Sequence, residues 1–113
     1  MAPATFHILV ALADRDRHGY AIMQDVAART DGQLKLSPGT LYGTIKRLLG
    51  EGLIEELDER PDPEQDDTRR RYYRITRAGR DAAIAESTRL ARMLAQARAS
   101  GLAPKISLAP KRS

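Results

Sequence analysis

Ser37-Pro38-Gly39-Thr40-Leu41-Tyr42-Gly43-Thr44-Ile45-Lys46-Arg47-Leu48-Leu49-Gly50-Glu51-Gly52-Leu53-Ile54 is the stretch on which the fold turns. It reads as one sharply started helix, a glycine stop and an extended segment. Ser37 suits the N-cap, where its hydroxyl accepts from a free amide of the first turn. Pro38 suits the first helical position, where no amide donor is missed. Leu41, Ile45, Leu48 and Leu49 recur at helical spacing and form one apolar stripe. The other side carries Gly39, Thr40, Gly43, Lys46, Arg47 and Gly50, a short-chained, polar and basic face. A helix with a core stripe on one side and small plus cationic groups on the other suits insertion into a DNA groove. Small residues let the backbone approach, and Lys and Arg meet phosphates or base edges.

Upstream, Phe6 to Ala13 is a dense apolar run. With Ala4 and Thr5 it is too long for a typical strand, so a helix is expected from about Ala4 to Ala13. It is apolar nearly all round, which implies burial on more than one side, against its own domain and against a partner. Asp14 to Gly19 reads as a polar loop. A second helix is expected from about Tyr20 to Thr30, stopped by Asp31-Gly32. Gln33 to Leu36 reads as one small strand.

Downstream, Leu53 to about Glu59 reads as a strand, and Pro61, Pro63 and the acidic residues around them as a loop. A second strand, rich in β-formers, is expected from about Arg70 to Ile75. Alternation puts Arg70, Tyr72 and Arg74 on one face and Arg71, Tyr73 and Ile75 on the other, so one face is core and the other basic. Thr76 can cap a final helix from about Arg77 to Ala99. In it Ala83 or Ile84, Ser87, Leu90 or Ala91, Leu94 and Ala97 repeat near a 3.5 spacing. Too little domain remains to cover that stripe, so it is expected to pack on another chain.

At 113 residues the chain is one domain plus tails, and a homodimer interface would enlarge its modest core. It has no cysteine, which excludes disulfides and thiolate metal sites. No apolar run approaches the roughly 18 residues of a membrane helix. Met1-Ala2-Pro3-Ala4-Thr5 lacks the pattern of a signal peptide, so the expected location is cytoplasmic. Nine of the 15 acidic residues lie between Glu51 and Asp67, with Arg60 the one base among them, so this stretch carries −8. The rest, with 18 basic and 6 acidic residues, carries +12, the balance of a polyanion-binding body.

The Ser37–Tyr42 block, preceded by His18-Gly19-Tyr20 and followed by Glu51-Gly52-Leu53-Ile54, resembles PadR-type transcriptional regulators. Arg71-Tyr72-Tyr73-Arg74-Ile75-Thr76 and Ala78-Gly79-Arg80 match the family's wing and the start of its last helix. The resemblance covers roughly residues 4 to 98. It implies a mainly α fold with a small β-hairpin, a winged helix-turn-helix with an added C-terminal dimerisation helix. It also implies repression by a homodimer bound to a pseudo-palindromic operator in double-stranded DNA, with room for a small-molecule effector of unknown identity. On this reading 1–76 is the DNA-binding domain, 77–100 the dimerisation helix and 101–113 a loose basic tail.

The residues expected on DNA are Ser37, Gly39, Thr40, Tyr42, Lys46 and Arg47 from the helix, and Arg69, Arg70 and Arg71 from the wing. Tyr42 also lies at the edge of the core stripe and can pack instead. Gly43 stands where many family members carry proline, and without a side chain it can only permit close approach. The acidic loop Asp62 to Asp67 argues against a wing tip pressed into a minor groove and allows a loop folded back onto the arginines. Phe6, Leu9, Ile84, Leu90, Ala91, Leu94 and Ala97 are expected in the dimer interface. His7 and His18 are the two histidines, too few for a metal case without cysteine. No catalytic constellation and no cofactor site is recognisable. With no tryptophan and one phenylalanine, an aromatic effector pocket is not supported. A winged-helix protein-interaction module without DNA binding is the competing reading.

Overall fold

The computed structural model describes residues 1–57 and 71–103. In chain order it has α1 (Pro3–Asp14), β1 (Arg17–His18), α2 (Gly19–Arg29), α3 (Pro38–Gly50), β2 (Ile54–Glu56), β3 (Tyr72–Ile75) and α4 (Arg77–Ala99). Local side chains set three of the helix starts. Ser37 Oγ accepts from the Thr40 amide, Thr76 Oγ1 from the Gly79 amide and His18 Nδ1 from the Ala21 amide, each at 3.1 Å. α3 stops at Gly52, whose φ of +73° is cheap only for glycine. The Leu53 amide then donates back to the Leu48 carbonyl at 3.0 Å and closes the last turn.

Helical periodicity decides what is buried. Ile8, Leu9, Ala11 and Leu12 of α1, Ile22 and Val26 of α2, and Leu41, Ile45 and Leu48 of α3 form the core with Leu36, Ile54, Tyr73 and Ile75. Each fully buried Leu or Ile contributes about 1.5–3 kcal/mol, so the α3 stripe alone anchors that helix firmly. The expected strand at Gln33 to Leu36 is a turn between α2 and α3. Its backbone has no ladder partner among the described residues, and Leu36 is buried while Leu34 is half-buried against the core. The Thr30 hydroxyl organises that turn, donating to the Val26 carbonyl at 2.9 Å and accepting from the Leu34 amide at 3.0 Å.

The sheet has three strands, in the order β1-β3-β2, where a two-stranded wing hairpin was expected. β2 and β3 form the antiparallel wing stem, with Ile54 opposite Ile75 and Glu55 opposite Arg74. β1 pairs with the other edge of β3, Arg17 opposite Tyr73 and His18 opposite Tyr72. Part of the expected polar loop is therefore sheet, and it joins α1 to the wing. Tyr73 and Ile75 face the core while Arg74 is exposed, as alternation requires; Arg71, expected on the core side, is exposed too, because it stands one residue before β3 begins. The rest of the wing, including the acidic loop, and residues 104–113 lie outside the described residues.

α4 is a 23-residue helix about 34 Å long that packs on α1. Only Gly79 and Glu86 of it are buried, neither of them an apolar side chain. Its large apolar groups lie outward: Ile84 is 63%, Met93 51% and Leu90 39% exposed. The whole is a mainly α winged helix-turn-helix with an added long C-terminal helix.

Candidate nucleic-acid interface

α1, α2 and β2 hold α3 by its apolar stripe, so its other face is presented to solvent. Gly39, Gly43 and Gly50 lie on that face. A methyl group on any of them would meet no atom within 4 Å among the described residues. Two other glycines behave differently. A methyl at Gly19 would come within 2.6 Å of the Tyr42 hydroxyl, and one at Gly79 within 2.0 Å of the Leu53 carbonyl oxygen. At Gly79 the backbone of Leu53 requires a bare position, and at Gly19 a side chain would have to displace the Tyr42 ring; on the α3 face neither constraint applies among the described residues. A helical glycine costs about 0.8–1 kcal/mol relative to alanine, so the face carries an instability that internal packing does not explain.

Lys46 shares this face by the 100° helical step and is exposed. Among the described residues it makes no ion pair. At the helix start Ser37 Oγ and Thr40 Oγ1 are 3.0 Å apart, and both residues are exposed. Tyr42 does both things expected of it: its ring covers Gly19 at the start of α2, and it stays 48% exposed. Sequence reading missed Lys35, which stands exposed in the turn two residues before the α3 cap. A cation so close to a helix N-cap was the available signal.

The arginines are differently placed. Arg47 points toward α1, where its Nη2 donates to the Thr5 hydroxyl, and its Nε lies 3.8 Å from Glu51. Arg71 lies 3.4 Å from Glu56 on the neighbouring strand. Arg74 reaches Asp16 at 3.0 Å and Glu55 at 4.0 Å. The Asp16 carboxylate raises the Arg74 guanidinium further above its already high value. Burial, reinforced by the Glu56 carboxylate, pushes the Tyr73 phenol up, so the residue between these arginines stays neutral. The wing stem thus satisfies much of its charge internally. Arg69 and Arg70 lie outside the described residues.

The expected interface residues divide. Ile84, Leu90 and Ala91 are exposed, and Phe6, Leu94 and Ala97 are half-buried. Leu9 is fully buried in its own chain, so its place is the internal core rather than a partner-facing surface. α1 turns Phe6 outward instead. Met93 is a further exposed apolar residue of α4 and was not among the expected residues. His18 caps α2 and meets Tyr72 edge-on, ring centroids 5.3 Å apart, as a turn and packing residue. Among the described residues no group of three or more His, Asp or Glu could hold a metal ion. None of the described helices is long and apolar enough to cross a membrane.

Residues 8–85 match the transcriptional regulator PadR-like family. The chain is 37% identical over 95 residues to the transcriptional regulator Rv3488 of Mycobacterium tuberculosis, covering 84% of this chain and 81% of that one. It spans 64% and 22% of the lengths of two other curated relatives. A solved PadR family transcription regulator from Clostridium difficile superposes with a TM-score of 0.70 at 25% identity, covering 90% of this chain and 100% of that one. BpsR of Bordetella bronchiseptica, whose DNA binding is regulated by 6-hydroxynicotinic acid, superposes with a TM-score of 0.62 at 26% identity, covering 92% and 69%.

Proposed function

The chain belongs to the PadR-like family of transcriptional regulators, and we propose that it binds double-stranded DNA sequence-specifically as a homodimer. It acts as a repressor on a pseudo-palindromic operator. The observation that carries this reading is the outward face of α3, where three glycines adjoin Lys46, and among the described residues nothing packs on those glycines and Lys46 makes no ion pair. Such a face suits a helix whose backbone comes close to base edges in the major groove. Lys46 serves as the base-edge or phosphate contact. Ser37, Thr40, Tyr42 and Lys35 surround it with hydroxyls and a second cation for phosphates. Arg71 contributes at the wing to the extent that phosphate displaces Glu56.

The homodimer reading is supported by the large apolar side chains that α4 leaves exposed, Ile84, Leu90 and Met93, and by the half-buried Phe6 of α1. A two-fold dimer places its two α3 helices in successive major grooves, about 34–36 Å apart along the duplex. Repression follows from occupancy, because a dimer seated over a promoter excludes other proteins from that stretch. A small-molecule effector is part of the proposal on the strength of the likeness to the Bordetella regulator.

The test is a titration of the intact protein against duplexes from the region upstream of its own gene, at several salt concentrations. With two or three phosphate contacts per subunit, log affinity should fall against log salt with a slope of roughly −4 to −6. No binding to any such duplex would favour the protein-interaction module.

A further inference from the structure

We infer that Arg47 is a positioning residue, which ties the reading helix α3 to the partner-facing helix α1 instead of touching DNA. The inference rests on the DNA-binding reading above. Lys46 and Arg47 are adjacent cations, 100° apart round α3, and they flank the glycine-bearing face on its two sides. On the Arg47 side stands α1, and the Arg47 side chain reaches it, donating to the hydroxyl of Thr5, in the first turn of α1 and 42 residues distant in the chain. Thr5 is only 5% exposed, and it and Glu86 are the buried polar side chains among the described residues. A buried hydroxyl on an otherwise apolar helix face needs a partner, and Arg47 supplies it.

The residue types fit this task. A guanidinium presents several N–H donors in a rigid fork and can serve two acceptors on two elements at once. Here one edge meets Thr5 on α1 and Nε faces Glu51, one turn further along α3. An ammonium at this position would be a single, more mobile point charge. The link also lies at the surface: Thr5, Arg47, Glu51 and Leu53 line an open groove of about 310 Å³ with Met1 and Ala2. It can therefore form or break without unpacking the core beneath it. That placement matters because, in the proposed dimer, the half-buried Phe6 of α1 faces the partner copy while Lys46 of α3 faces DNA. Two reading helices must enter successive grooves together, so their relative setting depends on how each α3 is held to its α1. The Arg47–Thr5 bond fixes that setting from a point outside the DNA surface.

The test combines operator titrations with amide hydrogen exchange on the full chain. Thr5→Val removes the acceptor, Thr5→Ser keeps it, and Arg47→Ala removes the donor. Arg47→Ala and Thr5→Val should each weaken operator binding about fivefold or more, the scale of ordinary intramolecular coupling. The double variant should be no weaker than the singles, since both remove one interaction. Thr5→Ser should bind as the unaltered protein does. All should keep the unaltered salt slope, because no phosphate contact is lost. Without DNA, amides of Arg47 to Gly50 should exchange faster in Thr5→Val and normally in Thr5→Ser. If Arg47→Ala flattens the salt slope or relaxes sequence preference while Thr5→Val binds normally, Arg47 touches DNA and the inference is overturned. If the unaltered protein binds no duplex, the DNA reading falls separately; unchanged exchange in Thr5→Val still overturns the link, and faster exchange still supports it.

Discussion

Stability and DNA binding should move in opposite directions when Gly43 gains a side chain. Gly43 lies inside α3, and a methyl group there meets no atom within 4 Å among the described residues. Gly43→Ala should therefore stabilise the fold by about 0.8–1.0 kcal/mol, the difference in helix propensity. For a domain near this size that corresponds to a rise in melting temperature of roughly 4–8 °C per kcal/mol. Leucine is almost as good a helix former as alanine, so Gly43→Leu should melt higher by a similar amount. Its side chain would stand on the face proposed to approach the groove floor and hold the helix backbone away from the bases. Operator affinity should fall at least tenfold, a loss of about 1.4 kcal/mol or more. Thermal melting by circular dichroism reads the first effect and fluorescence anisotropy with labelled operator the second. A Gly43→Leu protein that melts higher and still binds operator with unaltered affinity would mean that this face does not meet DNA.

Ile84→Glu puts a charge on a side chain that is 63% exposed in one chain. It should leave the fold intact while weakening the dimer at least tenfold, since an unpaired charge cannot be buried cheaply; sedimentation of an intact Ile84→Glu dimer at micromolar concentration would remove α4 from the interface. Gly79→Ala should cost about 1–3 kcal/mol or more in urea unfolding, because its methyl would sit 2.0 Å from the Leu53 carbonyl oxygen and force α4 away from β2. Hydrogen bonds from Arg89, at 2.6 and 2.9 Å, hold the Glu86 carboxyl below the usual carboxylate range. The stability this lends is present above the ordinary carboxylate value and is lost as pH falls through the lowered folded value. Glu86→Gln should therefore be less stable than the unaltered protein at neutral pH and equal to it in acid, and a gap that persists in acid would assign its cause to packing.

The legible parts of the fold are those encoded locally. Ser37-Pro38, Thr76 and the spacing of Leu41, Ile45 and Leu48 act within one or two helical turns, so α3 and α4 begin where the residues say they do. β1 was not legible because two residues, Arg17 and His18, offer no alternation to read; the unpaired edge of β3 makes them a strand. Leu34 and Leu36 have the composition of a strand but no edge to join, so they fill the core beneath the turn. α1 is apolar nearly all round, and periodicity could not say that Leu9 faces inward while Phe6 is left partly outside. Lys46 and Arg47 look alike in the sequence. What separates them is the placement of Thr5 on a helix 42 residues away, a tertiary fact with no local signature. Arg71 and Arg74 were readable as wing cations on opposite faces of the strand, and the carboxylates that engage them come from Glu56, Glu55 and Asp16, two of which sit across a ladder whose register only folding sets.

The proposal that α3 reads DNA bears most heavily on Lys46. Lys46→Ala should melt like the unaltered protein, because an exposed lysine carries little of the core. Titrated against a cognate operator and a scrambled duplex of the same length, it should lose about 1–3 kcal/mol on the operator and relax the preference for the base pair it contacts. Unchanged affinity and unchanged preference on the operator, with normal melting, would show that α3 is not the reading helix.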